Sequence, residues 1–213
     1  MKFLATLFFA AGVASSSLVT RDVDTIKNSI LNITDYTQQL TDALISYNST
    51  DQLLSLNQAS VNAIDAVNSS IANCQDTSLL TTFTESLALA EPTVNLGDVV
   101  GKSIDTIISR KNFFDMSSLS PIIAMSLQTQ YQLAVQFSNL VATKVPADTK
   151  EVAIALSQPI VSNIKRGLDA YGVQPTGTAA AGLATPTNAA PGPARTAMIG
   201  YGAAAVAAMM VAL

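Results

Sequence analysis

The sequence predicts an all-α fold: a single bundle of five to six antiparallel amphipathic helices, flanked by a signal peptide and by a disordered stalk with a GPI-anchor signal. Three observations lead there. Apolar residues in the body recur alternately three and four positions apart, which brings them onto one face of a helix. No segment alternates polar and apolar residues as a half-buried strand does. Prolines and capping residues break the stripes where one helix gives way to the next.

The elements follow in order. Lys2, the apolar run FLATLFFAAGVA and the small residues ASSS have the layout of a signal peptide, cut after Ala14 or at the latest Ser17, so residues 1–17 are set apart from the fold. The helical domain is expected over 18–171. Its first helix, Asp22–Asn48, carries the stripe Val23, Ile26, Ile30, Ile33, Thr37, Leu40, Leu44 and Tyr47. Thr50 or Asp51 caps the second, whose stripe is Leu53, Ile64, Val67, Ile71 and Cys74. A third helix is expected over Asp76–Glu91, through Leu80, Phe83, Leu87 and Ala90, with Pro92 kinking it or opening the next. The fourth, Thr93–Arg110, places Leu96, Val100, Ile104, Ile107 and Ile108 inside. The segment KNFFDMSSLSP is read as a connector, after which Pro121 opens a long helix to about Thr143. In KVPAD, Asp148 caps a last helix that runs to Tyr171 through Val152, Leu156, Ile160, Ile164 and Leu168, bent at Pro159.

From Gly172 the composition shifts to Pro, Thr, Ala and Gly. Residues 172–188 read as a flexible stalk with Thr176, Thr178, Thr185 and Thr187 as O-glycosylation candidates. Small residues at 188–190, the spacer PGPARTA and the uncharged stretch Met198–Leu213 follow. That stretch is shorter than the ~20 helical residues a bilayer requires and lacks a polar face. The order matches a glycosylphosphatidylinositol signal with attachment at Asn188 and removal of 189–213. The sequons at Asn32, Asn48 and Asn68 suit the same secretory route, Asn68 being the weakest because it borders an apolar stripe.

Composition excludes much chemistry. The chain has fifteen Asp and Glu against eleven Lys and Arg; Lys2 and Arg195 lie in the terminal segments, leaving a body with nine basic residues and a net charge near −6. An acidic domain without a basic stripe is not built for nucleic acid. The absence of His removes Ser-His-Asp and Cys-His nucleophilic sites and imidazole metal sites. With one cysteine no internal disulfide forms, so Cys74 is either a small buried hydrophobe or the link in an intermolecular disulfide. GDVVGKS, residues 97–103, is one residue short of a phosphate-binding loop and follows no strand. Asp22, Asp24, Asp42, Asp98, Asp105 and Asp115 show no spacing that selects a catalytic pair and mostly fall on polar faces. No cofactor or metal is expected, and no enzymatic activity.

The feature left over is an apolar surplus. The long helix alone carries Ile122, Ile123, Met125, Leu127, Leu133, Val135, Phe137 and Leu140, more than one face requires. Part of it is core; the rest suits an apolar cavity or a lipid-binding patch. The stretch LALAEPTVNLGDVVGKSIDTIISRKNFFD, with ATKVPAD and the closing IKRGLDAY, resembles the fungal hydrophobic surface-binding protein A family, also called cell-wall galactomannoproteins, over about Asp22–Tyr171. The resemblance implies a secreted or wall-bound, non-catalytic helical domain that adsorbs to hydrophobic surfaces or encloses fatty acids between helices. The expected partners are therefore fatty acids or other lipids, hydrophobic surfaces, cell-wall glycans, and a membrane reached through the GPI anchor. The alternative is a purely structural wall glycoprotein without a ligand. The apolar faces nominate Phe83, Leu87, Ile104, Ile107, Ile108, Phe113, Phe114, Ile123, Leu127, Tyr131, Phe137 and Leu140 as lipid-binding residues.

Overall fold

The periodic stripes do form helices. A computed structural model describes residues 5–176, with side chains placed from Arg21 onward except at residue 50. Five long helices, α1 (Ala5–Ser46), α2 (Leu53–Gln75), α4 (Ala90–Ser109), α6 (Ser120–Lys144) and α7 (Lys150–Ala170), are joined by turns and two short helices, α3 (Phe83–Leu87) and α5 (Lys111–Met116). No strand occurs among the described residues, and none of their helices is long and apolar enough to cross a membrane.

The long helices close into a ring. α1 packs on α2 and α4, α2 on α6, α6 on α7, and α7 back on α4. In a regular ring of five helices about 9 Å apart, each axis stands about 7–8 Å from the centre, beyond the ~5 Å radius of a helix with its side chains. Such a centre is filled by large side chains or stays open. Ile26, Ile30, Leu44, Ile104, Leu127 and Leu168 fill much of it.

Several elements depart from the sequence expectation. α1 begins at Ala5, upstream of Asp22, because no helix breaker separates the two segments. Neither Thr50 nor Asp51 caps α2: a 3-10 turn, Thr50–Gln52, intervenes, and the N-cap Gln52 makes no side-chain capping bond. The expected helix over Asp76–Glu91 breaks up. Residues 79–81 are irregular, and a capping box, in which the Thr82 hydroxyl and the Glu85 carboxylate each accept the other residue's backbone N–H, starts the short α3 at Phe83. Pro92 therefore sits in the first turn of α4, where its missing N–H costs no helical bond. The KNFFDM part of the connector is helical, as α5. Asp148 does not cap α7; its N-cap is Thr149, without a side-chain bond, and Pro159 lies inside the helix.

Two cations tie the ring. Arg110 Nη1 donates to the carbonyls of Leu44 and, at 2.7 Å, Ile45, at the C-terminal end of α1. Lys144 Nζ donates to the carbonyls of Gln75 and Thr77 at 2.8 and 2.6 Å, at the end of α2. Both meet the negative end of a helix dipole. Gly172 ends α7 with φ of 69°, while the Gly172 and Val173 N–H groups donate to the Asp169 and Leu168 carbonyls, a Schellman termination. The expected stalk thus begins as packed chain. Val173 packs on the core, and Gln128 and Gln132 of α6 donate to the Thr176 carbonyl. The remainder of that segment, Asn188 and 189–213 lie outside the described residues.

Candidate functional site

The twelve nominated residues do not form one site. Phe114 and Leu127 are fully buried, and Ile107 and Tyr131 nearly so. Ile108, Phe113, Ile123 and Leu140 pack against the core. Phe113 and Phe114 form an aromatic cluster with Tyr47, at 5.6 and 6.1 Å between ring centroids, and the Arg110 guanidinium lies over Phe113. These eight residues line neither of two apolar pockets between the helices. Four remain, and they belong to two pockets.

Ile104 and Phe137 line the inner pocket, about 590 Å³ of empty space including its mouth. All five long helices contribute to it: Ile33 and Thr37 from α1, Ala63 and Val67 from α2, Val100 from α4, Ala134 from α6 and Ile164 from α7. Its hydroxyls and its amide come from Thr37, Ser103, Ser138 and Gln130, and no charged residue lines it. Gln130 Nε2 donates to Ser126 Oγ at 3.1 Å, and Ser126 Oγ lies 2.9 Å from Ser60 Oγ on α2, which leaves the Gln130 carbonyl oxygen an acceptor and the hydroxyls adaptable partners.

Phe83 and Leu87 line the outer pocket, about 500 Å³ of empty space including its open mouth, between α3, the start of α4, the end of α6 and the start of α7. It too has no charged lining residue; Val141, Val145, Ala153 and Leu156 form its floor. Phe83 and Leu87 are 60 % and 58 % exposed, and Val152 across the pocket is 55 % exposed. α3 stays in place through its cap. Desolvation works to raise the Glu85 carboxyl, but hydrogen bonds from the Thr81 and Thr82 N–H groups and their hydroxyls hold it below its usual range.

The sequence nominations omit large lining residues such as Ile33, Val100, Ile160 and Ile164, and also the small ones Ala63, Ser103, Ala134, Ser138 and Ala153. The small ones make room for a cavity by leaving space opposite the large residues. The other nominated chemistry stays quiet. Asp22 is buried and accepts a hydrogen bond from the Ser78 N–H at 3.2 Å, while Asp24, Asp42, Asp98, Asp105 and Asp115 are exposed. GDVVGKS lies within α4. Among the described residues, no cluster of three or more acidic or thiol groups could hold a metal. Cys74 is free and fully enclosed; burial pushes its thiol up against the lowering influence of Ser29 and Lys144, and a disulfide between chains would require the bundle to open. Asn32, Asn48 and Asn68 are all exposed, including the sequon expected to be weakest.

The family model described as hydrophobic surface binding protein A matches residues 23–143. Two relatives named cell wall mannoprotein 1 are similar to the chain. The one from Aspergillus fumigatus is 30% identical over 168 residues, covering 79% of this chain and 58% of its own length. The one from Aspergillus flavus is 31% identical over 175 residues, covering 80% and 63%. The chain thus spans about three-fifths of these relatives. Among solved structures, ligand binding domain 1 of the Penicillium marneffei MP1 protein, complexed with arachidonic acids, superposes with a TM-score of 0.66 at 25% identity, over 70% of this chain and 98% of that domain. AFMP4P in complex with palmitic acid shares the fold, with a TM-score of 0.55 at 16% identity over 73% of this chain and 98% of that one.

Proposed function

This chain belongs to the hydrophobic surface binding protein A family, and from that premise we propose that it is a non-catalytic binder of fatty acids, whose acyl chain lies in the inner pocket of the helix ring. The observation that carries this proposal is a pocket lined by all five long helices that contains hydroxyls and one amide but no charge. A buried charge without a partner would cost several kcal/mol, and an acyl chain supplies none there. Each methylene removed from water contributes about 0.8 kcal/mol, so a dozen contribute up to about 10 kcal/mol before ordering costs are subtracted. The similar MP1 domain, complexed with arachidonic acids, supports the ligand class.

We place the protein at the cell surface or in the wall, in line with the names of its relatives. The proposal includes secretion through residues 1–17, sugars on Asn32, Asn48 and Asn68, and a lipid anchor at Asn188, all supported by sequence pattern. The exposed apolar patch of Phe83, Leu87 and Val152 supports adsorption to hydrophobic surfaces as a second mode of the same binder. Titration of the delipidated protein with a fluorescent fatty acid tests the function. Saturable binding is expected; its absence, together with no adsorption to hydrophobic beads, leaves only a structural wall glycoprotein.

A further inference from the structure

The inner pocket opens toward one seam of the ring. Every lining residue that α4 and α7 supply to it is buried, from Leu96 to Ile164. The half-buried lining residues are Val67 on α2, Gln130 and Ala134 on α6, and Thr37 on α1, so the mouth lies along the seam between α2 and α6. These two helices run parallel. Ser60 Oγ of α2 lies 2.9 Å from Ser126 Oγ of α6, and near their other ends the Gln75 carbonyl accepts from Lys144 Nζ. Asn68 on α2 and Ala134 on α6 each stand eight residues beyond the serine pair, hence at one level. At about 100° per residue, Asn68 is turned about 80° from Ser60, which faces α6, and about 160° from Ser70, which donates to the Ser29 carbonyl of α1. Asn68 is exposed and follows Val67 directly. It therefore stands on the outer lip of the mouth, on the α6 side of α2. Asn32, on α1, and Asn48, in the turn after it, do not border this seam.

We propose that the Asn68 sequon is a control point for ligand exchange: a glycan on Asn68 stands at the lip of the α2–α6 mouth and slows passage in both directions, a proposal that rests on fatty-acid binding at the inner pocket. Asn68-Ser69-Ser70 is an N-glycosylation acceptor, and a glycan there is bulky, hydrated and fixed to its asparagine. It occupies the water just outside Val67, Gln130 and Ala134. It does not enter the pocket, because Asn68 is turned about 100° away from Val67. A ligand passes it on the way in and again on the way out. An obstacle that touches neither the empty pocket nor the seated ligand raises the barrier between them and leaves their equilibrium unchanged. The result is a longer residence time at the same affinity. The sugar also keeps the apolar lip of Val67 and Ala134 off surfaces, so that adsorption stays with Phe83, Leu87 and Val152.

The test uses the full chain secreted from a eukaryotic host that adds N-linked sugars, delipidated, with uptake and release of a fluorescent fatty acid followed by stopped flow. Mass spectrometry of the peptide containing Asn68 should show it glycosylated. Asn68→Gln, at an exposed position, should exchange the probe ~5-fold faster in both directions, with Kd within about two-fold of wild type. Trimming wild type with an endoglycosidase should do the same, and it decides the question if the variant is not secreted. Asn32→Gln should exchange as wild type does. A bare Asn68, exchange unchanged by loss of its sugar, or equal acceleration in Asn32→Gln overturns the control point and leaves fatty-acid binding standing. No saturable binding in any form overturns both.

Discussion

Gly167 of α7 lies against Ile104 of α4 so closely that a Cβ at Gly167 would come within 3.1 Å of the Ile104 Cδ1. Ile104 also lines the inner pocket, so packing between helices and the width of the cavity are coupled at this point.

Gly167→Ala should therefore change stability little and binding more. The helix gains about 0.5–1 kcal/mol from replacing glycine, and the Ile104 end can shift toward empty space, offsetting the close contact while narrowing the pocket. Urea unfolding should show a net change within about 1 kcal/mol, with fatty-acid affinity lowered several-fold. Gly97→Ala is the contrast. Its Cβ would meet the Pro159 Cβ and Ile160 Cγ1 at ordinary distances of 3.7 and 3.8 Å, so it should stabilise by about 0.5–1 kcal/mol and leave binding unchanged.

Phe114 and Phe83 should separate structure from function. Phe114 is fully buried against Tyr47, and Phe114→Ala should cost about 3–5 kcal/mol. Phe83 is largely exposed, and Phe83→Ala should fall within about 0.5 kcal/mol of wild type while reducing adsorption to hydrophobic beads. Equal stability losses for the two would contradict the division of the aromatic residues made above.

How much of this was readable beforehand follows from volume. The stripes of α4, α6 and α7 are legible because branched aliphatics every three or four residues leave one solution, and Pro121 marks the start of α6. The helix expected across Leu80, Phe83 and Leu87 was misleading, since the same spacing arises when one buried and two exposed residues fall on either side of a cap. The signal against it was present in Thr82 and Glu85, the S/T-x-x-E pattern of a capping box. The cavity was only partly legible. Large residues such as Phe114 and Leu127 draw attention, yet they fill the core, whereas a pocket arises where Ala134 or Ser103 leaves a side chain's volume empty. Which small residues face each other depends on the ring closure of α1, α2, α6, α7 and α4, and no local pattern encodes it.

Cys74 carries a pH prediction. Its folded thiol titrates above the ordinary range, so the fold holds the proton more tightly than the unfolded chain does. Stability from this source is complete below the unfolded value of about 8.5 and is lost as pH rises through the folded one. Tyr171, pushed up to about 12 by burial with a smaller contribution from Asp115, adds a second loss at higher pH. Unfolding midpoints measured across alkaline pH should decline from the thiol range upward in wild type, and Cys74→Ala should delay that decline to the tyrosine range. A thiol reagent should label Cys74 only in denaturant.

Lys144 should matter for the loop that follows α2. Lys144→Met removes the bonds to the Gln75 and Thr77 carbonyls and should cost about 1 kcal/mol, because the amine is partly exposed. Hydrogen exchange should rise at the Leu80 N–H, which donates to the Lys144 carbonyl at 2.7 Å.

The most direct measurement is titration of delipidated protein with palmitate, wild type beside Ala134→Trp, which places an indole in the inner pocket from a half-buried position on α6. Saturable binding in wild type that falls at least ~10-fold in the variant, with the helical circular dichroism unchanged, is the expected result. Palmitate binding of equal affinity in both proteins, or none in wild type, would contradict an acyl chain held at the centre of the ring.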